Sequence, residues 1–165
     1  MGVEALFHPV IAVSDMTEAV RFYRDLLGLK VTFDDFHDPA AISSLFGVTD
    51  PVVHAVVVGC PDGSEIELVE FERPRGAFIT RSPGDPGLMA VNLLVSDLGV
   101  IVERLRAGGY EPLSPIVLQT LPDGGGIKVV VLRAPDHVSI LLVELPPGRS
   151  SLADPGGTQR SEATA

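Results

Sequence analysis

The sequence predicts an α+β fold made of two similar halves, each a strand, a helix and three further strands. Three observations carry that expectation. The stretch Pro61-Asp62-Gly63-Ser64-Glu65-Ile66-Glu67-Leu68-Val69-Glu70 reads as a hairpin turn entering a strand. It has an echo in Pro135-Asp136-His137-Val138-Ser139-Ile140-Leu141-Leu142-Val143-Glu144, where Leu141 stands in the place of Glu67. A second echo links Val13-Ser14-Asp15 to Val95-Ser96-Asp97, 82 positions on, whereas Pro61-Asp62 and Pro135-Asp136 are 74 apart. The difference falls in the middle loop, which is longer in the first half. Internal duplication explains all three.

The elements follow in order. Phe7 to Val13 alternates as a strand and ends at Ser14-Asp15, and Asp15-Met16-Thr17-Glu18 has capping-box spacing. Ala19, Val20, Phe22, Tyr23, Leu26 and Leu27 then form a helical stripe closed by Gly28. Leu29 to Phe33 is the second strand. A polar loop over 34–50 carries a short helix around 41–46, and His37 within it is expected to be exposed. Val52 to Val58 and Ser64 to Phe71 complete the first module, about 5–72. Residues 73–86, rich in Pro and Gly, read as a linker.

The second module, about 87–146, opens with a strand over 88–95 and a helix from Ser96-Asp97 to about Ala107. Weak strand signals near 111–117 precede a Gly-rich loop at 122–126. Ile127 to Arg133 and Val138 to Leu145 close the module. Residues 1–146 are thus expected to form one domain, with a disordered tail over 147–165.

Composition excludes several classes of function. The net charge of −10 argues against a nucleic-acid partner, which needs clustered Lys and Arg. No apolar run is long enough to cross a bilayer, and the N-terminal residues show no secretory pattern. One cysteine, Cys60, rules out an intrachain disulfide and fits a reducing cytoplasm. A small-molecule partner remains, and an edge strand in each module makes a homodimer plausible.

Alternation separates the faces of the sheets. Ile66 and Leu68 point one way, toward the helix, which leaves Glu67 on the other face with Glu65 and Val69. His8, Val10 and Ala12 share the Glu67 face by the same rule. A hairpin through 60–63 is expected to pair Val58 with Glu65 and Val56 with Glu67, which puts His54 on that face, diagonal to Glu67. The corresponding positions in the second half are Lys128 and Leu141. The expected site face therefore carries His8, His54 and Glu67 from one half, and Ala90, Asn92, Lys128, Ser139 and Leu141 from the other. A strand histidine that bonds across the sheet is the plainer account of His8, and a substrate contact or a satisfied core group that of His54. Glu67 between apolar neighbours is harder to explain as structure, because an unpaired carboxylate there is costly.

His8-Pro9-Val10-Ile11-Ala12-Val13-Ser14-Asp15, Phe22-Tyr23-Arg24-Asp25-Leu26-Leu27-Gly28 and Pro61-Asp62-Gly63 with Ile66-Glu67-Leu68 resemble the vicinal oxygen chelate superfamily. That superfamily includes glyoxalase I, methylmalonyl-CoA epimerase, extradiol dioxygenases and bleomycin-resistance proteins. The resemblance spans about residues 6–145. It implies two tandem βαβββ modules whose mixed sheets curl into a cup-shaped partial barrel. In its metal-dependent members, first- and fourth-strand residues of both modules hold a divalent ion.

By that resemblance His8 and Glu67 match two metal positions, while Ala90 and Leu141 occupy the other two and cannot ligate. His54 would complete a set of two imidazoles and one carboxylate, suited to Zn, Mn, Fe, Ni or Co. Three functions follow as expectations. The first is an isomerase, epimerase or lyase in which Glu67, with His54 as a further acid/base group, transfers a proton beside a divalent metal. The second is a metal-free acid/base enzyme such as a cyclase or isomerase. The third is a drug- or metabolite-binding resistance protein. Asn92, Lys128, Ser139 and Leu141 are the expected substrate contacts. A dioxygenase is disfavoured, since its ligand set relies on the second half.

Overall fold

Both modules form as the duplication predicts. The computed structural model describes residues 2–79, 82, 84–87, 89–121 and 125–152. It falls into two units, one reaching to Asp85 and including Ala134–Val138, the other comprising Pro86–Arg133 and the chain from Ser139. The expected start of the second module at Leu88, the centre of the 122–126 loop and most of the expected tail lie outside the described residues.

In the first unit β1 (Val10–Ala12) leads to α1 (Met16–Val20), which runs on as a π-helix over Arg21–Leu26. Asp15 caps α1 by accepting from the Glu18 N–H at 3.1 Å, and Gly28 ends the segment at φ 85°. β2 (Lys30–Phe36), α2 (Pro39–Phe46), β3 (Val52–Gly59) and β4 (Glu65–Arg73) follow, with sheet order β1-β4-β3-β2. β1 runs parallel to β4, and the other pairs are antiparallel.

β2 is three residues longer at its C-terminal end than expected. As an edge strand it is exposed along its whole length, so Asp34 and Asp35 can lie in it without desolvation.

One face of this sheet carries Ile11, Val56, Val58, Ile66 and Leu68, all buried, and α1 lies against β3 and β4. Each such side chain contributes about 2 kcal/mol of apolar burial. The other face carries Glu67. There Ile42 of α2 packs with Val53, Val69 and Phe71.

The second unit repeats the plan with β5 (Val91–Leu94), α3 (Leu98–Ala107), β6 (Val117–Thr120), β7 (Gly126–Arg133) and β8 (Ser139–Glu144), in sheet order β5-β8-β7-β6. β6 begins where the weak strand signals end. Of the region before it, Pro112 forms a single bridge to Leu132.

A matched pair of carboxylates ties each helix to its sheet. Glu70 accepts the Met16 N–H at 3.0 Å, and Glu144, 74 positions on, accepts the Leu98 N–H at 2.7 Å. These donors are unpaired within their own helices, and a carboxylate at a helix N-terminus also complements the helix dipole. Each carboxylate has its cation: Arg75 on Glu70 at 3.2 Å, Lys128 on Glu144 at 2.6 Å.

The Lys128 ammonium first, then the Leu98 N–H, hold the Glu144 carboxyl below its ordinary value. The stability this contributes is present above the ordinary carboxylate pKa and is lost as pH falls through the lowered folded value. In Lys128→Met the acid-side fall in urea midpoint, followed downward from neutral pH, is therefore expected to be shallower than in wild type.

Candidate active site around Glu67

Local turn geometry decides which side chains meet Glu67. The β3–β4 hairpin has a three-residue loop, Pro61-Asp62-Gly63, with Gly63 at φ 88° and its N–H bonded to the Cys60 carbonyl at 3.1 Å. This is a type I turn followed by a left-handed residue, the geometry of a three-residue hairpin loop. It pairs Val57 with Glu67 and Val58 with Ile66, one residue away from the expected register.

A one-residue slip moves every side chain of β3 to the opposite face. His54 stands opposite Glu70 and Val56 opposite Leu68, on the helix side. His54 bonds to Asp34 at 2.7 Å and stacks on Phe36, so the expected set of His8, His54 and Glu67 is not assembled.

The same slip carries through the duplication. Lys128 pairs with Glu144, on the face opposite Leu141, and its ammonium is spent there. Asn92 is paired with Leu141, and Ser139 with Arg133, so Asn92, Ser139 and Leu141 do share one face of the second sheet. A cavity of about 520 Å³ in this unit, lined by Leu94, Ser96, Glu144, Pro146 and Arg149 among others, includes none of these residues.

What Glu67 does meet is His8 and His37. His8 Nε2 lies 3.4 Å from Oε2, and His37 Nε2 lies 2.9 Å from Oε1. The side chains of Glu67 and His8 are each 13% exposed, and that of His37 is 35% exposed. The imidazoles thus take different oxygens of a mostly buried carboxylate and offset its desolvation.

His8 Nδ1 is buried without a hydrogen-bond partner among the described residues, and the ring contacts Phe7 at 4.2 Å between centroids. His37 is held against Glu67 and is not the freely exposed loop residue expected, because it directly follows the extended β2. Its signal was the alternation Phe33, Asp35, His37, which continues once β2 is extended. Its own N–H bonds to the Val53 carbonyl at 2.9 Å.

Across the sheet, Glu67 sits in a row with Val57 on β3, Phe33 on β2 and Val10 on β1. Val10 and Phe33, at the two ends of this row, are 55% and 45% exposed and open to a ligand, whereas Val57 between them is buried.

A tight metal site needs at least three ligand atoms converging on one point. Here the imidazoles engage separate oxygens of one carboxylate, the matched positions of the second half are Ala90 and Leu141, and no group of three His, Cys, Asp or Glu among the described residues is placed to hold an ion. The residues present do not fit the full metal set of the fold's metal-dependent members.

Paired βαβββ units with a carboxylate on the fourth strand of the first define a protein of vicinal oxygen chelate type. The chain belongs to the Glyoxalase/Bleomycin resistance protein/Dioxygenase superfamily, whose family model matches residues 5–142. It is 27% identical over 152 residues to the lactoylglutathione lyase-like protein terB of Aspergillus terreus, covering 86% of this chain and 76% of that one.

Among solved structures, a glyoxalase family protein from Bacillus cereus superposes with a TM-score of 0.80 at 22% identity, covering 88% of this chain and 96% of that one. A glyoxalase I variant from Zea mays gives 0.61 at 16%, covering 83% and 44%. These likenesses establish the fold. Members of the superfamily take small-molecule substrates or ligands. No helix among the described residues is long and apolar enough to cross a membrane.

Proposed function

We propose that the protein is a proton-transfer enzyme acting on a carbon acid next to a carbonyl, with Glu67 as general base and no requirement for a divalent metal. The observation that carries this reading is the mostly buried Glu67 carboxylate, oriented by one imidazole on each oxygen and set in an apolar row open at both ends.

A Glu67 oxygen takes the proton from the α-carbon, and the C–H electron pair moves onto the carbonyl oxygen as an enolate. Return of the proton from Glu67 to a different carbon conjugated with the enolate, as the oxygen's electron pair re-forms the carbonyl, completes an isomerisation. Where the β-carbon bears a leaving group, the enolate pair expels that group instead and Glu67 gives it the proton, a lyase outcome. His37 and His8 hold the carboxylate in place through both steps, and the apolar neighbours keep water from competing for the proton.

The test is deuterium wash-in at the benzylic α-protons of β-tetralone, followed by proton NMR in deuterium oxide. Exchange above the buffer rate that is lost in Glu67→Gln supports the reading. Binding without exchange would replace it with sequestration, the function that the exposed ends of the apolar row alone would favour.

Metal content tests the independence from a divalent ion. Protein purified without a histidine tag is expected to carry well under stoichiometric Zn, Mn, Fe, Ni or Co and to keep its exchange rate after chelator treatment. Stoichiometric metal that vanishes in both His8→Ala and Glu67→Ala would overturn it. The lone cysteine supports a cytoplasmic setting, and the exposed edge strands β2 and β6 support a homodimer.

A further inference from the structure

The charge pattern around Glu67 narrows what this face can accept. Besides Glu67, the same face carries Asp35, opposite Ala55, and Glu65, opposite Gly59. Thr32 donates to Glu65 at 3.0 Å, and the Phe36 N–H donates to Asp35 at 2.7 Å. The cations of these strands stand at the ends of the face. Lys30 is also opposite Gly59, in the row of Glu65, and Arg73 is ion-paired with Asp50 at 2.9 Å. At the centre, Asp35 and Glu67 are left with the two imidazoles.

The two ends of the Glu67 row are apolar and accessible, at Val10 and Phe33, while Val57 between them is buried. Phe7, largely exposed, lies against the His8 ring. Exposed apolar side chains grouped around one mostly buried carboxylate mark a ligand surface.

An anionic ligand placed there would meet like charge in a partly desolvated setting, which is penalised far more than in water. A flat apolar ligand would cover the exposed Phe33 and Val10 and leave its acidic C–H over Glu67. We infer that the substrate is a neutral, largely apolar carbonyl compound, aromatic or polyketide-like in its flat surface, and that carboxylated or phosphorylated carbon acids are excluded. This rests on Glu67 being the base of the proposed reaction.

The test compares two benzylic carbon acids of similar size, neutral β-tetralone and anionic phenylpyruvate, binding to the full chain by calorimetry and by ligand NMR. Wild type is expected to bind β-tetralone about tenfold or more tightly than phenylpyruvate, the scale of one like-charge contact. Glu67→Gln and Asp35→Asn are each expected to narrow the gap by improving phenylpyruvate while changing β-tetralone by less than about threefold.

Phenylpyruvate binding as tightly as β-tetralone to wild type would overturn the inference. So would a gap that neither variant alters, or failure of both ligands to bind at millimolar concentration. A preserved preference without catalysed exchange would remove the base assignment and leave the neutral-ligand surface standing.

Discussion

Glu67→Gln is expected to lower catalysed exchange of β-tetralone by about 10²–10⁴-fold, the usual contribution of a positioned general base. The substitution is nearly isosteric, and the amide oxygen can still accept from His37. What it loses is basicity, so the fold and ligand affinity are expected to persist while the rate collapses. His54→Ala is the contrasting variant. His54 lies on the helix side of the sheet, bonded to Asp34, so its exchange rate is expected to stay within about threefold of wild type. Equal losses in the two variants would mean that the face assignment is wrong. Proton NMR rates and urea midpoints measured on the same preparations separate a lost base from a lost fold.

Glu70→Ala is expected to cost about 2–3 kcal/mol of stability in urea denaturation. Glu70 is buried at 8% exposure, and its carboxylate accepts from the Met16 N–H and from Arg75. Truncation leaves a buried N–H at the start of α1 with no acceptor, removes a favourable charge from the helix N-terminus and opens a small void. Glu70→Gln is expected to cost about half as much, because the amide oxygen still accepts from Met16 while the ion pair with Arg75 is gone. A loss below about 0.5 kcal/mol in Glu70→Ala would show that water replaces the cap.

The duplication was legible because it is written in turn and cap residues, whose requirements are local. Asp15 and Asp97 cap their helices as their positions suggest, each accepting from the N–H three residues on. The face of Glu67 was legible for a similar reason. Strand alternation is a property of the backbone alone, and Ile66 and Leu68 leave Glu67 only one side.

The pairing of Glu70 with Glu144 was present in the echoed stretches yet carried no readable role, because a cap donated from another element has no local signature. His54 and Lys128 were misplaced together, since both rested on one assumed hairpin register and on the offset that copies it.

The amino-acid sequence by itself determined the two-module plan, the order of elements, the loss of donors at Ala90 and Leu141, and the side of the sheet on which Glu67 lies. Each follows from periodicity, turn chemistry or residue identity, which act over a few residues. Tertiary structure decided which histidine stands beside that carboxylate. A three-residue rather than a four-residue turn shifts the β3–β4 register by one, sending His54 away. The extension of an exposed edge strand brings His37 in. The turn residues and the Phe33, Asp35, His37 alternation are compatible with both choices, but the hydrogen bonds that hold them, Cys60 N–H to the Ser64 carbonyl and His37 N–H to the Val53 carbonyl, form only in the assembled sheet.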